Sequence, residues 1–522
     1  MNISITLSKA ARLYRHKVAV ICGRDHLTYG RVDERVRRLA QFFVSTGLKP
    51  GDVVSVLLPN CHIFLEIYYA AALAGVILNP INHRLSGSEI AFIIDDAGAR
   101  LVIGQDRFLD RLGEALKTTP GVCRVVLVGA GNPPDLPVET IRYDEALTGQ
   151  RPWVGDPISV SDEAVAHLYY TSGTTGNPKG VMLTHKNVTT HALAAIAEVK
   201  ITDADVWLHA APMFHLADAW ATFAITWVGG KHVMAPEFDP AEMLKTIETQ
   251  GVTLSNMVPT MLNLLVKHPR INDFDYRSLR VIMSGGAPIA PETVRSIMAA
   301  FGCEYIQTYG MTETSPYLTM SILKDHLKGL PPERRFEFRS RTGREFLGVE
   351  LKVVDDSGQE IRPNNQDIGE IVVKGDTVTP GYWNRPEETA KAIQDGWLYT
   401  GDLAVIDEEG YVNIVDRKKD MIITGGENVF SIEVENVLYS HPKILEAAVV
   451  GIPDEKWGEA VTAAVVPKSG EDISAEEIIS FCKSKIAGYK SPKKVFFLEE
   501  LPKTGSGKIY KKGIRERFGG SS

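Results

Sequence analysis

Cysteine, long apolar runs and clustered positive charge are all scarce in this 522-residue chain, and each scarcity removes a class of protein. The five cysteines, Cys22, Cys61, Cys123, Cys303 and Cys482, are scattered, odd in number and without a Cys-x-x-Cys pair. That pattern fits a reducing cytoplasm and neither a disulfide framework nor a zinc site. The longest apolar run, Ile67 to Leu78, is too short to span a bilayer and reads as a buried helix entering a strand. Met1 to Val20 carries Lys9, Arg12, Arg15 and Lys17 and no apolar core, so no signal peptide is expected. Net charge is −8. Nucleic acid usually calls for a basic face, so no nucleic-acid partner is expected. Any site for an anion must then be locally basic. No internal repeat and no low-complexity segment stands out.

With 44% hydrophobic and 23% charged residues, the chain reads as globular and long enough for several domains. Residues 18–104 alternate in period. Val18 to Ile21 and Val53 to Leu58 read as buried strands; Val32, Val36, Leu39, Ala40 and Phe43 recur at helical spacing between them. Ile90, Ile93, Ile94 and Ala97 repeat that spacing before the strand Leu101 to Ile103. Such alternation argues for βαβ units and a largely parallel sheet. Gly129-Ala130-Gly131, after the strand Cys123 to Val128, lacks a third glycine and runs into Pro133-Pro134, so it reads as a surface loop. Lys324 to Arg344 is polar, holds Pro331-Pro332 and five arginines, and reads as a mobile connection or short insertion. From about residue 347 the texture turns short and β-rich. After Asp416-Arg417-Lys418-Lys419-Asp420 a compact α+β pattern of about a hundred residues follows, within normal domain size. The expected fold is α/β: a large N-terminal region over 1–418 with mixed or parallel sheets and a β-rich subdomain, and a small α+β domain over 419–522.

The most informative stretch is Tyr170-Thr171-Ser172-Gly173-Thr174-Thr175-Gly176-Asn177-Pro178-Lys179-Gly180, directly after the apolar run Ala164 to Tyr169. Glycines let backbone N–H groups approach a ligand, the hydroxyls add donors, and Lys179 adds a positive charge. Together they suit a polyphosphate. The spacing is not that of a Walker-type loop, which needs Gly-Lys-Ser/Thr four residues after its first glycine.

This string resembles the phosphate loop of the adenylate-forming superfamily: acyl-CoA synthetases, peptide-synthetase adenylation domains and firefly luciferase. The resemblance covers essentially the whole chain, because further motifs occur in the family's order. By resemblance, Thr171, Ser172, Gly173, Thr174, Thr175, Gly176 and Lys179 hold the phosphates. Gly285, Gly286, Ala287 and Pro288 line the adenine pocket. In Thr308-Tyr309-Gly310-Met311-Thr312-Glu313, Tyr309 offers a flat face for adenine, Gly310 and Met311 belong to the same nucleotide-binding set, and Thr312 offers a hydroxyl to phosphate. Glu313, with Thr175, is a hard oxygen ligand suited to Mg²⁺. Asp402 and Arg417 match the ribose site. Lys508 is the adenylation lysine, and its charge would offset the repulsion between a carboxylate and the α-phosphate. His215, in Pro212-Met213-Phe214-His215-Leu216, lies near the acyl carboxylate in this family; a core histidine is the competing reading. The other histidines read as structural or solvated. Gly381-Tyr382-Trp383 and Trp397 are assigned to packing.

The resemblance also implies a CoA half. Gly425, Gly426 and Glu427 would help form the pantetheine tunnel, Trp457 is either a contact for the adenine of CoA or packing, and Lys419 aligns with the family's hinge. The implied reaction is an ATP-dependent ligation through an acyl-adenylate, with ATP, Mg²⁺ and coenzyme A as cofactors and co-substrate. The small domain would rotate between the two steps. The uncharged segment Trp220 to Gly230 reads as the wall of the acid pocket. A medium- to long-chain fatty acid is the expected acid, with a benzoate- or cinnamate-type acid as runner-up. Transfer to a carrier protein, a luciferase-like oxygenase and a non-catalytic sensor are the alternatives. The sensor is disfavoured because Lys508, Glu313 and Asp402 are all present. Glu345 stands where many relatives have proline. Peripheral membrane contact and a homodimer stay open.

Overall fold

The protein is seen here as a computed structural model that describes residues 1–130, 136–171, 178–287, 289, 291–503 and 509–519. The chain divides into two compact units, Met1–Gly286 with Arg295–Glu350 and Lys374–Leu398, and Ala287–Val294 with Leu351–Val373 and Tyr399–Ser522.

The first unit holds two sheets. One runs Glu139–Arg142, Arg124–Val128, Ala99–Gln105, Val53–Leu57, Ile77–Pro80, Val165–Thr171, Lys179–Thr184. Its neighbours are parallel except the last pair, which is antiparallel with Thr171 opposite Lys179. The expected βαβ units are therefore present. The run Ile67 to Leu78 divides, as read, into the buried helix His62–Ala74 and the strand Ile77–Pro80. Helix Gly87–Ala97 starts on a capping box, with Ser86 and Glu89 exchanging hydrogen bonds, and stops at Gly98 in the left-handed region (φ 67°).

The second sheet runs Gly343–Glu345, Tyr317–Met320, Glu304–Gly310, Val281–Ser284, Leu254–Asn256, Val206–His209, Lys231–Met234, Val18–Cys22, Asp25–Thr28. From Glu304–Gly310 to Val18–Cys22 its neighbours are parallel, so several carboxyl ends share one edge. In open α/β sheets ligands bind outside that edge.

The stretch Lys324 to Arg344 is ordered rather than a mobile connection: it forms a 3₁₀ turn, Asp325–Gly329, an α-helix, Pro332–Arg339, and the start of Gly343–Glu345. Pro332 sits in the helix's first turn, where no N–H is needed. Arg295 stacks on Phe336 at 3.8 Å and pairs with Glu333 at 2.8 Å, contacts that join residues far apart in sequence.

The second unit takes in most of strands Val349–Val354, Gly369–Gly375 and Trp397–Ile406 and all of Tyr411–Arg417, neighbours in that order. A separate sheet follows, Glu427–Val429, Ile422–Thr424, Gly458–Pro467, Ile444–Asp454, with Lys494–Phe497 parallel to Gly458–Pro467. Helices Ser431–Tyr439 and Ala475–Lys483 close its core, which includes Val434, Leu438, Val449, Val465 and Ile478. The unit cuts the chain earlier than residue 418 by taking in the β-rich strands. Among the described residues no helix is long and apolar enough to cross a membrane.

Candidate active site

The antiparallel pair Val165–Thr171 and Lys179–Thr184 presents Thr171 and Lys179 as the two ends of the glycine-rich loop. Ser172, Gly173, Thr174, Thr175 and Gly176 lie outside the described residues, as do Pro288 and Lys508. Strand Lys179–Thr184 packs on the 3₁₀ turn Thr312–Thr314. Residues from the first sheet and from the edge of the second therefore meet.

Tyr382 joins them. Its hydroxyl donates to Oε1 of Glu313 at 2.9 Å, and its ring lies 5.2 Å from Nζ of Lys179. Lys179 also pairs with Glu388 at 2.9 Å. Backbone bonds fix the arrangement: Trp383 N–H donates to Gly180, Met182 N–H to Gly381, and Thr379 N–H to Glu313. The Glu313 side chain is only 6% exposed. Burial, and then the Glu313 charge, hold the Tyr382 hydroxyl protonated far above its ordinary range. The assignment of Tyr382 to packing is thus incomplete, since it is a hydrogen-bond donor to the candidate metal ligand. Sequence held little sign of this, because Tyr382 and Glu313 are 69 residues apart. Glu313 suits an ion that takes most of its ligands from phosphate and water, and Thr312 keeps a hydroxyl for phosphate. Among the described residues no group of three or more acidic, His or Cys side chains could hold a metal unaided.

Gly285 and Gly310 are required by close approach. A Cβ at Gly285 would collide with Thr308, and one at Gly310 with the Pro316 carbonyl. Gly286 adopts φ 81°. Tyr309 and Met311 are half-buried at the end of Glu304–Gly310. Ala287 is grouped with the second unit.

His215 is half-buried and immediately precedes helix Leu216–Val228, its ring 4.7 Å from that of Phe214. A relay that sequence reasoning missed fixes that helix. Asp218 accepts from Trp207 Nε1 at 3.2 Å and meets His209 Nδ1 at 2.5 Å. His209 Nε2 reaches His232 at 2.9 Å, and His232 reaches Thr226 at 3.0 Å. All four polar partners of this relay are fully buried, so these histidines are structural, as expected. The wall segment is aromatic: Trp220 lies 5.0 Å from Trp207 and 5.3 Å from Tyr317, which is 5.9 Å from Phe346.

A cleft of about 620 Å³ in the same unit is lined by Asn60, His83, Arg84, Arg107, Arg111 and Pro212 among others. Its lining also includes Glu237, which pairs with Arg107 at 2.7 Å, so the three arginines leave it net basic in an acidic protein. Burial and the neighbouring Arg84 and Arg107 hold the His83 imidazole down at about 4. Sequence reasoning missed this set because Arg84 precedes helix Gly87–Ala97 while Arg107 and Arg111 stand on the 3₁₀ turn Asp106–Phe108 and the helix Leu109–Leu116.

In the second unit, Asp402 and Arg417 face each other across antiparallel strands with Oδ1–Nε 3.0 Å, and Asp402 is 4% exposed. Lys419 lies in a turn closed by Asp420 N–H to Arg417, and its ammonium is pushed down by burial and by Arg417. Gly425 and Gly426, at φ 60° and 83°, are the two-residue turn of the hairpin Ile422–Thr424 and Glu427–Val429. That turn type needs positive φ at both positions. The glycines thus have a local reason beside the expected one. A Cβ at Gly425 would press on Trp457 at 3.1 Å, and Gly425 N–H donates to the Trp457 carbonyl. Trp457 is partly packed yet 38% exposed, and Glu427 is exposed.

Comparison with known proteins agrees along the whole length. The family model described as AMP-binding enzyme matches residues 7–383, and that described as AMP-binding enzyme C-terminal domain matches 433–508. A feruloyl-CoA synthase of Amycolatopsis sp is 37% identical over 519 residues, covering 98% of each chain. A long-chain-fatty-acid–CoA ligase of Thermus thermophilus is 36% identical, over 99% of this chain and 96% of that one. The crystal structure of ATP-bound MatB from Rhodopseudomonas palustris superposes with a TM-score of 0.85 at 31% identity, over 99% of each chain.

Proposed function

Because the chain belongs to the AMP-binding enzyme family and is an AMP-forming acid–CoA ligase that uses ATP and CoA, we propose that its acid is aromatic, of the benzoate or cinnamate type. The ring cluster of Trp207, Trp220, Tyr317 and Phe346 on and around the wall helix carries this reading. Rings packed edge-on leave flat faces and little freedom to follow a bending alkyl chain. The feruloyl-CoA synthase relative supports the same order. The fatty-acid expectation becomes the second reading, favoured by the uncharged wall and by the Thermus relative.

In step one, Lys179 and the glycine-rich loop hold the phosphates, with Tyr309, Gly285 and Gly286 around the adenine and Asp402 and Arg417 at the ribose. Glu313, oriented by Tyr382, together with Thr175 would hold Mg²⁺, which offsets phosphate charge when bound. Lys508 brings a cation between the attacking carboxylate and the α-phosphate, and His215 orients the acid. One charge at ~4 Å in an effective dielectric near 20 is worth about 4 kcal/mol, on the order of a thousandfold in rate. The acid oxygen bonds to phosphorus and pyrophosphate leaves. In step two the CoA sulfur attacks the acyl carbon and AMP leaves. The basic cleft of Arg84, Arg107 and Arg111 receives the phosphates of CoA, while Gly425, Gly426, Glu427 and Trp457 face the thiol arm. The domain boundary is at 418–419, and rotation at Lys419 changes the small domain between steps. The test is a panel of benzoates, cinnamates and saturated acids with ATP and CoA, scored by AMP release. A saturated acid with the highest kcat/KM would overturn the aromatic reading.

A further inference from the structure

Lys179, at the far end of the glycine-rich loop, pairs with the Glu388 carboxylate at 2.9 Å, and among the described residues Glu388 pairs with no other cation. Its Oε2 atom is shut off from water and makes no well-directed hydrogen bond, so charge alone joins it to Lys179. Glu388 stands in the first turn of the short helix Pro386–Ala392. It cannot follow the lysine, because this segment is pinned beside both ends of the loop. Asp96 accepts from Tyr170, before the loop, and from Arg385, before the helix, each at 2.7 Å. Beyond the loop, Trp383 N–H donates to the Gly180 carbonyl. Thr389, next to Glu388, accepts from Tyr382 N–H and donates its hydroxyl to the Arg385 carbonyl, both at 2.9 Å.

Among the described residues the charge around Lys179 is negative in sum. Tyr382 lies between two carboxylates; burial first, and then the charges of Glu313 and Glu388, hold the proton on its hydroxyl. One ammonium therefore serves both Glu313 and Glu388, and Arg385 does not relieve them because Asp96 offsets its charge. Lys179 does not need Glu388 to stay in place. Its backbone is paired opposite Thr171, and its Nζ lies 5.2 Å from the Tyr382 ring. A polyphosphate held by Lys179 thus meets a fixed carboxylate that draws on the same ammonium.

We infer that Glu388 is a counter-charge that loosens the hold of Lys179 on ATP and on pyrophosphate alike, and so speeds the departure of pyrophosphate after adenylation. Pyrophosphate that lingers beside the acyl-adenylate can attack its phosphorus, expel the carboxylate and restore ATP. A carboxylate fixed next to Lys179 repels that anion and takes up the ammonium as it leaves. An equal loosening of ATP raises KM and leaves the chemical step unchanged. Glu388 therefore acts through Lys179 and is a positioning residue. The inference rests on the reading of Lys179 as a phosphate ligand and goes one step past it.

The experiment measures Kd for pyrophosphate and for α,β-methylene-ATP, each with Mg²⁺, by calorimetry on wild type, Glu388→Gln, Glu388→Ala, Lys179→Ala and the Lys179→Ala/Glu388→Gln double variant. Glu388→Gln keeps the shape and removes the charge. It should bind both ligands at least about twofold tighter, because a part-exposed ion pair contributes modestly and the lost repulsion adds to it. Glu388→Ala should move both in the same direction. The gain should shrink in the Lys179→Ala background, where no ammonium is left to compete for. Weaker binding in either Glu388 variant would make Glu388 a support for Lys179 and overturns the inference, as does a change below twofold in Glu388→Gln or an undiminished gain without Lys179. Those results leave Lys179 as a phosphate ligand, provided Lys179→Ala itself binds more weakly. Wild-type affinity in Lys179→Ala overturns both readings.

Discussion

Tyr382→Phe removes one oxygen and keeps the ring, which makes it the sharpest perturbation of the candidate site. The hydroxyl donates to Glu313 at 2.9 Å, and that carboxylate is 6% exposed. A hydrogen bond to a charged group contributes about 1.5–3 kcal/mol. If that bond orients Glu313 for adenylation, its loss corresponds to roughly 10- to 150-fold in rate, at about 1.4 kcal/mol per tenfold. The ring face 5.2 Å from Lys179 Nζ remains in phenylalanine. Tyr382→Leu removes both contacts and should cost more. The assay is acid-dependent ATP–pyrophosphate exchange across a Mg²⁺ titration, beside thioester formation from pre-made acyl-adenylate. The loss should fall on exchange, deepen at limiting Mg²⁺ and largely spare the second step. Exchange within twofold of wild type throughout the titration would refute the role given to Tyr382 and Glu313.

Lys508→Ala should abolish adenylation and largely spare thioester formation from pre-made adenylate; equal loss in both half-reactions sinks its assignment to step one. Lys419→Pro should cut thioester formation by orders of magnitude while adenylation stays within a few-fold, because proline fixes φ near −65° and restricts its neighbour. Among the described residues the Lys419 N–H makes no backbone hydrogen bond, so the effect would be torsional; a wild-type thioester rate would remove the hinge. Arg84→Ala should raise KM for CoA several-fold without raising that for ATP; equal shifts would detach the basic cleft from CoA. Burial holds His167 and His191 down at about 3. The unfolded chain, with histidines near 6.5, binds more protons between those values. Stability is therefore full above about pH 6.5 and falls as pH falls toward 3, by about 2 kcal/mol per histidine at pH 5. Urea unfolding at pH 7 and 5 should show the loss, and equal stability at both would contradict it.

Local pattern made the parallel strands, the helix Tyr29–Ser45 and the split of Ile67 to Leu78 legible, because period and punctuation are properties of short windows. The helix Pro332–Arg339 was not legible. Its periodicity is weak, and its support comes from Arg295 and Phe336 meeting across 41 residues of chain. The site shows the same division. Glu313, Asp402 and Lys179 stand in contiguous motifs. The Tyr382–Glu313 bond, the arginine cleft and the Asp218–His209–His232 relay are assembled only by tertiary packing, from side chains far apart in sequence or on separate elements.

The most direct test of the account is nucleotide fate. Purified protein is given Mg-ATP and a cinnamate-type acid, with and without CoA, and nucleotides and acyl products are counted. The account predicts acid-dependent acyl-AMP and pyrophosphate without CoA, and AMP and acyl-CoA in equal amounts with it. Formation of ADP and phosphate, or ATP cleavage indifferent to every carboxylic acid supplied, would contradict it.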